Sequence, residues 1–308
     1  MMFKRTSGRR GFVLITILMI LIGISVLAFT ASYASRTAAG SATNRTALAS
    51  AHWKAYGCIE RVRATAHAAM TSVSPDLVIA VWDSLDRVVR HSPLLVGTSC
   101  TVSLRAVGAG LNINDAPPER LSRFFAALNI PPSRADSLVD ALLDWRDPDL
   151  FPRPLGAERA WYQAAHRLVP RDGAFADPKE LLQVRGFEQF GDTLSLIQTE
   201  SARMPLGHTP LPILAALPGM SPEAVARAAD LRLRNERIVE LLVLGATLPT
   251  SARDTLMAHY AELARMTTTE PEGWIVVATG LAGSPGVEVA MEVRLARGGT
   301  RVATMRRR

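Results

Sequence analysis

The densest group of chemistry-bearing side chains is acidic. Asp144, Asp147, Asp149 and Glu158 fall within the stretch DWRDPDLFPRPLGAE. Hard cations such as calcium take several oxygen ligands from irregular, carboxylate-bearing loops, so these four residues are a candidate calcium site. Arg146, Arg153 and Arg159 stand among them, and ion pairs with those arginines explain the cluster nearly as well. The sequence leaves both readings open. The second candidate is the pair Cys58 and Cys100, the chain's two cysteines and the smallest number that can bridge. Cys58 lies in a helical stretch and Cys100 opens a strand-like one. In an oxidising compartment they can join helix to sheet; the alternative is two buried thiols.

Two further segments, LLQVRGF at 181–187 and LAALPGM at 214–220, share the form Leu-x-x-hydrophobic-x-Gly-hydrophobic. Here a helix ends, Gly186 or Gly219 takes a positive φ, and an apolar residue folds back on the last turn. Helix-hairpin-helix modules use such turns to offer N–H groups to DNA phosphate. They usually carry a second glycine two residues on, where Glu188 and Ser221 stand here. Structural turns are therefore expected, and no nucleic acid. Catalytic groupings are missing from the sequence: the six histidines (His52, His67, His91, His166, His208 and His259) are scattered, with no His-Glu-x-x-His, Cys-x-x-Cys or Gly-x-Ser-x-Gly. The chain reads as a non-enzyme with no catalytic residue, and Trp145 as a core anchor.

The elements that must position these residues begin with an apolar run. Residues 12–30 (FVLITILMILIGISVLAFT) follow the leader MMFKRTSGRRG, and no charge occurs from Gly11 to Ser35. Roughly 20 apolar residues cross a bilayer as a helix, and Lys4, Arg5, Arg9 and Arg10 predict a cytoplasmic N-terminus. The main domain of this single-pass protein then lies on the far side of the membrane, periplasmic or extracellular. No proline occurs before Ser74, so the helix is expected to run on in water to about residue 70, a length of roughly 85–90 Å. Strand patterns occur at 101–107, 274–279 and 287–295, with a short one at 301–305 after the Gly298-Gly299 turn. The stretch 112–266 between them is helical in character, with proline-acid starts at 116–119 and 221–223. The fold class is α+β: a long N-terminal helix packed on a small antiparallel sheet, with a large α-helical domain inserted in that sheet. The expected divisions are 1–11, a leader; 12–35, the membrane helix; 36–111, the rest of the helix and first strands; 112–266, the insertion; and 267–308, the last strands and a basic tail. The formal charge of +7 includes four leader positives, which leaves +3 on the rest, a weak case for a polyanion partner.

A secretory signal peptide has its small-residue cleavage site after the apolar segment. Here the basic leader ends in Gly11-Phe12 before it, and this resembles a type IV prepilin leader. The resemblance implies cleavage between Gly11 and Phe12 by a prepilin peptidase and N-methylation of Phe12; an ordinary signal anchor is the alternative. GFVLIT at 11–16, LNINDAPPERL at 111–121, LLDWRDPD at 142–149, GAE at 156–158 with Tyr162, KELLQVRGF at 179–187 and LAALPGMSPE at 214–223 occur in the order of the protein K family. That family comprises the large minor pseudopilins of type II secretion, also called GspK. The resemblance covers nearly the whole chain. It implies a pseudopilin fold, an acidic calcium-associated loop, and a place at the tip of a pseudopilus beside other minor pseudopilins. It also implies contact with the inner-membrane secretion platform and lipid, and a part in exporting folded proteins across the outer membrane. Most pilins have glutamate at the fifth mature position, where Thr16 stands here. A carboxylate in the bilayer needs a partner, and a subunit with nothing ahead of it has no use for one. Alternatively, Thr16 is a tolerated substitution, its hydroxyl bonded back to a helical carbonyl. The alternative function is a minor pilin of a type IV pilus or competence system with helix-hairpin-helix DNA contact.

Overall fold

The computed structural model describes residues 10–97, 99–238, 240–283, 286–297 and 301–307. The leader before Arg10 and the Gly298-Gly299 turn lie outside the described residues. Helix α1 runs unbroken from Arg10–Thr71 over 62 residues. Its apolar first half is wholly exposed, and it is long and apolar enough to cross a membrane. The second half buries Ala51, Ala55, Cys58, Ile59, Val62 and Ala66, a three-and-four spacing that places one stripe against the head.

In chain order there follow α2 (Val78–Asp83), α3 (Leu85–Arg90), β1 (Cys100–Ala106), β2 (Leu111–Asn112), α4 (Pro118–Ala127), α5 (Pro132–Arg146) and α6 (Arg159–Ala164). After two 3-10 turns at Pro178–Gln183 and Gly191–Leu196 come β3 (Ile197–Gln198), β4 (Met204–Pro205), α7 (Leu211–Ala216), α8 (Pro222–Leu233) and α9 (Leu241–Ala246). The chain ends with α10 (Thr250–Ala258), α11 (Tyr260–Met266), β5 (Thr267–Thr268), β6 (Gly273–Ala282), β7 (Val287–Ala296) and β8 (Arg301–Arg307). One antiparallel sheet has the order β1-β6-β7-β8. Alternation turns Trp274, Val276 and Ala278 of β6 and Val289, Met291, Val293 and Leu295 of β7 into one core with α1. Helix and sheet meet closely at Gly280, where a Cβ would lie 2.1 Å from the Ala51 carbonyl oxygen and 2.7 Å from the Ala55 nitrogen. Cys58 and Cys100 are joined as a disulfide between α1 and β1, across 42 residues of sequence. Closing a loop of that length contributes about 4 kcal/mol.

Three features differ from the sequence reading. Residues 78–90 form the short helices α2 and α3, which bury Trp82, Leu85 and Val89 on α1, and segment 36–111 gives the main sheet only one strand. Thr267–Thr268, expected among the last strands, pairs in parallel with Met204–Pro205 and closes the insertion instead. Arg306 and Arg307, expected in a free tail, extend β8 opposite Glu292 and Met291, because the outer edge of β7 otherwise has no partner in the sheet.

The insertion has its own core, in which Phe124, Leu138, Trp145, Tyr162 and Phe187 are fully buried. It is tied to the helix-and-sheet head by a polar clasp. Asp83 at the end of α2 accepts from Arg237 Nε at 2.8 Å and meets His208 Nε2 at 3.0 Å. Beside it Trp82 Nε1 donates to the Pro271 carbonyl at 2.8 Å, and Trp274 Nε1 donates to the Trp82 carbonyl at 3.1 Å. Burial pushes the Asp83 carboxyl up, but the hydrogen bonds and charges of His208 and Arg237 outweigh it and hold the group below its ordinary value. A depressed carboxylate stabilises above its unfolded pKa and loses that contribution as pH falls through the folded one. Asp83→Asn is therefore expected to cost about 2 kcal/mol near pH 7, and the gap to the native chain should narrow below about pH 4. Denaturant melts at pH 7 and pH 3 measure this; an equal gap at both would contradict it.

Candidate functional site

The acidic loop lies between two helices. α5 carries Asp144 in its last turn and stops at Asp147; α6 starts from Glu158, whose side chain caps the Arg159 N–H. Residues 148–157 have no regular structure. The loop folds over Asp144, which is fully buried and accepts from the Arg153 backbone N–H at 3.2 Å and from Arg153 Nη1 at 2.8 Å. Gly156 allows this: a Cβ there would lie 1.9 Å from Asp144 Oδ2. Burial still pushes the Asp144 carboxyl above its ordinary value in spite of Arg153.

One carboxylate oxygen each from Asp147, Asp149 and Glu158 lies within 4.8 Å of the others. The structure thus brings together three of the four expected acids and turns Asp144 toward Arg153 instead. A further carboxylate, outside this group of three, acts on it electrostatically from a later loop. Asp172, at a left-handed φ of 53°, is among the charges that raise the Glu158 pKa, after burial and together with Asp144 and Asp147. Arg159 Nη2 holds Asp172 Oδ2 at 2.5 Å, and Arg153 Nη1 contacts Asp147 Oδ2. The other oxygens, Asp147 Oδ1, Glu158 Oε1 and Asp172 Oδ1, are buried with no donor among the described residues. Buried acceptors without donors are costly, and a hard cation supplies what they lack. The donor set fits such an ion. Asp172 was beyond sequence reasoning because it stands fourteen residues after Glu158 and reaches the group only through a loop without periodicity.

The glycine turns are structural. Gly186 and Gly219 adopt φ of +86° and +73°. The Gly186 N–H that a phosphate would need donates to Glu188 Oε1 at 3.3 Å, and Glu188 is itself paired with Arg167. At Gly219 a Cβ would lie 2.8 Å from the His259 Cβ and 3.1 Å from the Thr255 carbonyl, so that turn faces α10 and its C-cap. The LNIND motif is also a brace: Asn114 Nδ2 donates to the Phe175 and Thr199 carbonyls, both at 3.0 Å, and Asn114 Oδ1 accepts from the Phe175 N–H at 2.8 Å. Gly11 and Phe12 occupy the start of α1. Thr16 Oγ1 donates to the Phe12 carbonyl at 2.9 Å, so its hydroxyl is satisfied within the helix.

These sites are carried by a membrane-length helix laid on an antiparallel sheet, with a helical domain inserted between β1 and β6. Residues 102–190 match the family model for type II secretion system (T2SS), protein K. The match runs from β1 through the acidic loop to just past the Gly186 turn, and over this span the chain is similar to protein K of type II secretion. Among solved structures it is similar to a chain of the GspK-GspI-GspJ complex from the enterotoxigenic Escherichia coli type 2 secretion system. The TM-score is 0.51 at 17% identity, covering 68% of this chain and 79% of that one. That likeness shows the fold. No curated protein matches the chain.

Proposed function

We propose that this chain is a minor pseudopilin at the tip of the type II secretion pseudopilus, where it aids initiation of the filament and export of folded proteins across the outer membrane. The observation that carries this reading is the protein K match over 102–190. Two features support the tip position. Thr16 bonds its own helix and offers no carboxylate to the amine of a subunit ahead. The insertion between β1 and β6 is also too bulky to repeat around a thin bundle of N-terminal helices. In this reading prepilin peptidase cuts between Gly11 and Phe12, Phe12 is N-methylated, and α1 anchors the chain in the inner membrane. The N-terminus is cytoplasmic, the head periplasmic, and the head performs no catalysis.

Its partners are other minor pseudopilin heads, in the manner of the GspK-GspI-GspJ complex, together with the inner-membrane platform and lipid. DNA contact is disfavoured, since Glu188 already occupies the Gly186 N–H. Analytical ultracentrifugation of the part from residue 36 onward is the test. The head should be monomeric alone and should form a stoichiometric complex when mixed with the other minor heads. Filaments of this chain alone, or no association in the mixture, would overturn the tip position.

The acidic loop supports calcium as the cofactor, held by Asp147, Asp149 and Glu158 with Asp172 beside them. The ion would supply positive charge to the three donorless oxygens and tie the loop's two ends together. Calcium at a hundredfold excess over its Kd should stabilise the chain by about 2.7 kcal/mol, and the double variant Asp147→Asn, Glu158→Gln should lose that gain. Melting temperatures with calcium and with chelator measure it; no calcium dependence in the native chain would refute the site.

A further inference from the structure

We infer that the outer edge of β1 is a strand-addition site, which takes a single extended segment of a partner protein, apolar at alternate residues and acidic at its ends. This surface is separate from the acidic loop and does not rest on the tip position.

The sheet places β1 at one edge, paired only with β6. Val107 N–H donates to the Gly273 carbonyl at 2.9 Å and Leu281 N–H to the Ser99 carbonyl at 3.5 Å, which sets the parity of the ladder. In an antiparallel pair, hydrogen-bonded and non-bonded positions alternate. Thr101, Ser103 and Arg105 therefore bond β6, while Val102 and Leu104 turn their N–H and C=O groups outward. Among the described residues no backbone group meets those of Val102 and Leu104 on that side. Natural edges are usually blunted by lysine, proline, a bulge or extreme shortness. CTVSLRA has no lysine, proline or bulge over its seven residues; its one charge, Arg105, is turned to the Ser195 and Ile197 carbonyls, and its register with β6 is uninterrupted.

Beside this edge lies a cavity of about 500 Å³ between α3 and β1, walled by Asp86, Val89 and Arg90 on one side and by Val102 and Leu104 on the other. Strand addition needs both parts: main-chain hydrogen bonds give affinity, and pockets for alternate side chains give specificity. Val89 is buried and Val102 and Leu104 are half-buried, so alternate guest side chains meet an apolar floor. The rim sets the charge of the guest. Arg90 pairs with Asp86, yet its side chain stays 65% exposed, which is complementary to an acidic residue. The Cys58–Cys100 bridge fastens the start of β1 to α1, so the edge is held ready and need not order on binding.

The test uses the full chain in detergent micelles and the capped peptide Glu-Val-Thr-Val-Thr-Ile-Glu. Residue-resolved hydrogen exchange should show the Val102 and Leu104 amides slowed about tenfold or more at saturating peptide, with Thr101, Ser103 and Arg105 protected throughout. A peptide N-methylated at alternate residues should not slow them. Val102→Pro removes one outward N–H at an edge, where proline is tolerated, and should abolish peptide binding with the melting temperature little changed. Equal binding of the methylated peptide, binding retained by Val102→Pro, or no slowing in the native chain would each overturn strand addition.

Discussion

Everything else in this molecule hangs from the close approach of α1 to the sheet at Gly280. A side chain there would collide with the Ala51 carbonyl, so the sheet touches helix backbone. Ala51, Ala55, Ile59, Val62 and Ala66 line the rest of the contact; small residues set the distance and larger ones fill the space beside it. One helix thus has two solvents. Residues 12–30 offer water almost no polar surface, and the second half presents a narrow apolar stripe covered by the sheet and by α2 and α3. The helix carries no proline and is continuous, so it spaces the head from its own apolar end by a set distance.

The second layer of organisation is how a large insertion is carried without weakening that contact. It leaves the sheet after β1 and returns at β6, neighbours in the sheet, so both ends emerge side by side. Two-residue parallel pairs, β2 with β3 and β4 with β5, brace its entrance and exit. The Asp83 clasp fixes it laterally with charge-assisted bonds from Arg237. The insertion carries a cluster of carboxylates only partly relieved by Arg153 and Arg159, beside a core of Trp145, Tyr162 and the phenylalanines. Donorless oxygens in the acidic loop are a local cost, and a ligand can repay it.

Long elements with clear periodicity were legible from the residues. The apolar run and absent prolines read as α1, and alternation at 287–295 read as β7. What escaped lacked length or locality. VIAVWD and LDRVVR form single helical turns and a half, too short for a period to show. The acids at 144–158 were visible as a cluster, but their division was not: Asp144 is buried under Gly156 and bound to Arg153, whereas Asp147, Asp149 and Glu158 converge. That division depends on how an irregular loop folds. Asp172 and the clasp of Asp83 with His208 and Arg237 join residues far apart in sequence, and no spacing rule brings such partners together.

The most direct measurement of the central constraint compares two glycines in the full chain. Gly280→Ala puts a methyl group into the helix backbone, while Gly207 has nothing within 4 Å of its Cβ position. Denaturant unfolding in micelles should show Gly280→Ala destabilised by about 2–3 kcal/mol, within the range for overpacking a tight contact, and Gly207→Ala nearly unchanged. Equal stability of Gly280→Ala and the native chain would mean that the sheet does not rest on the α1 backbone, and the account of the head would fail there.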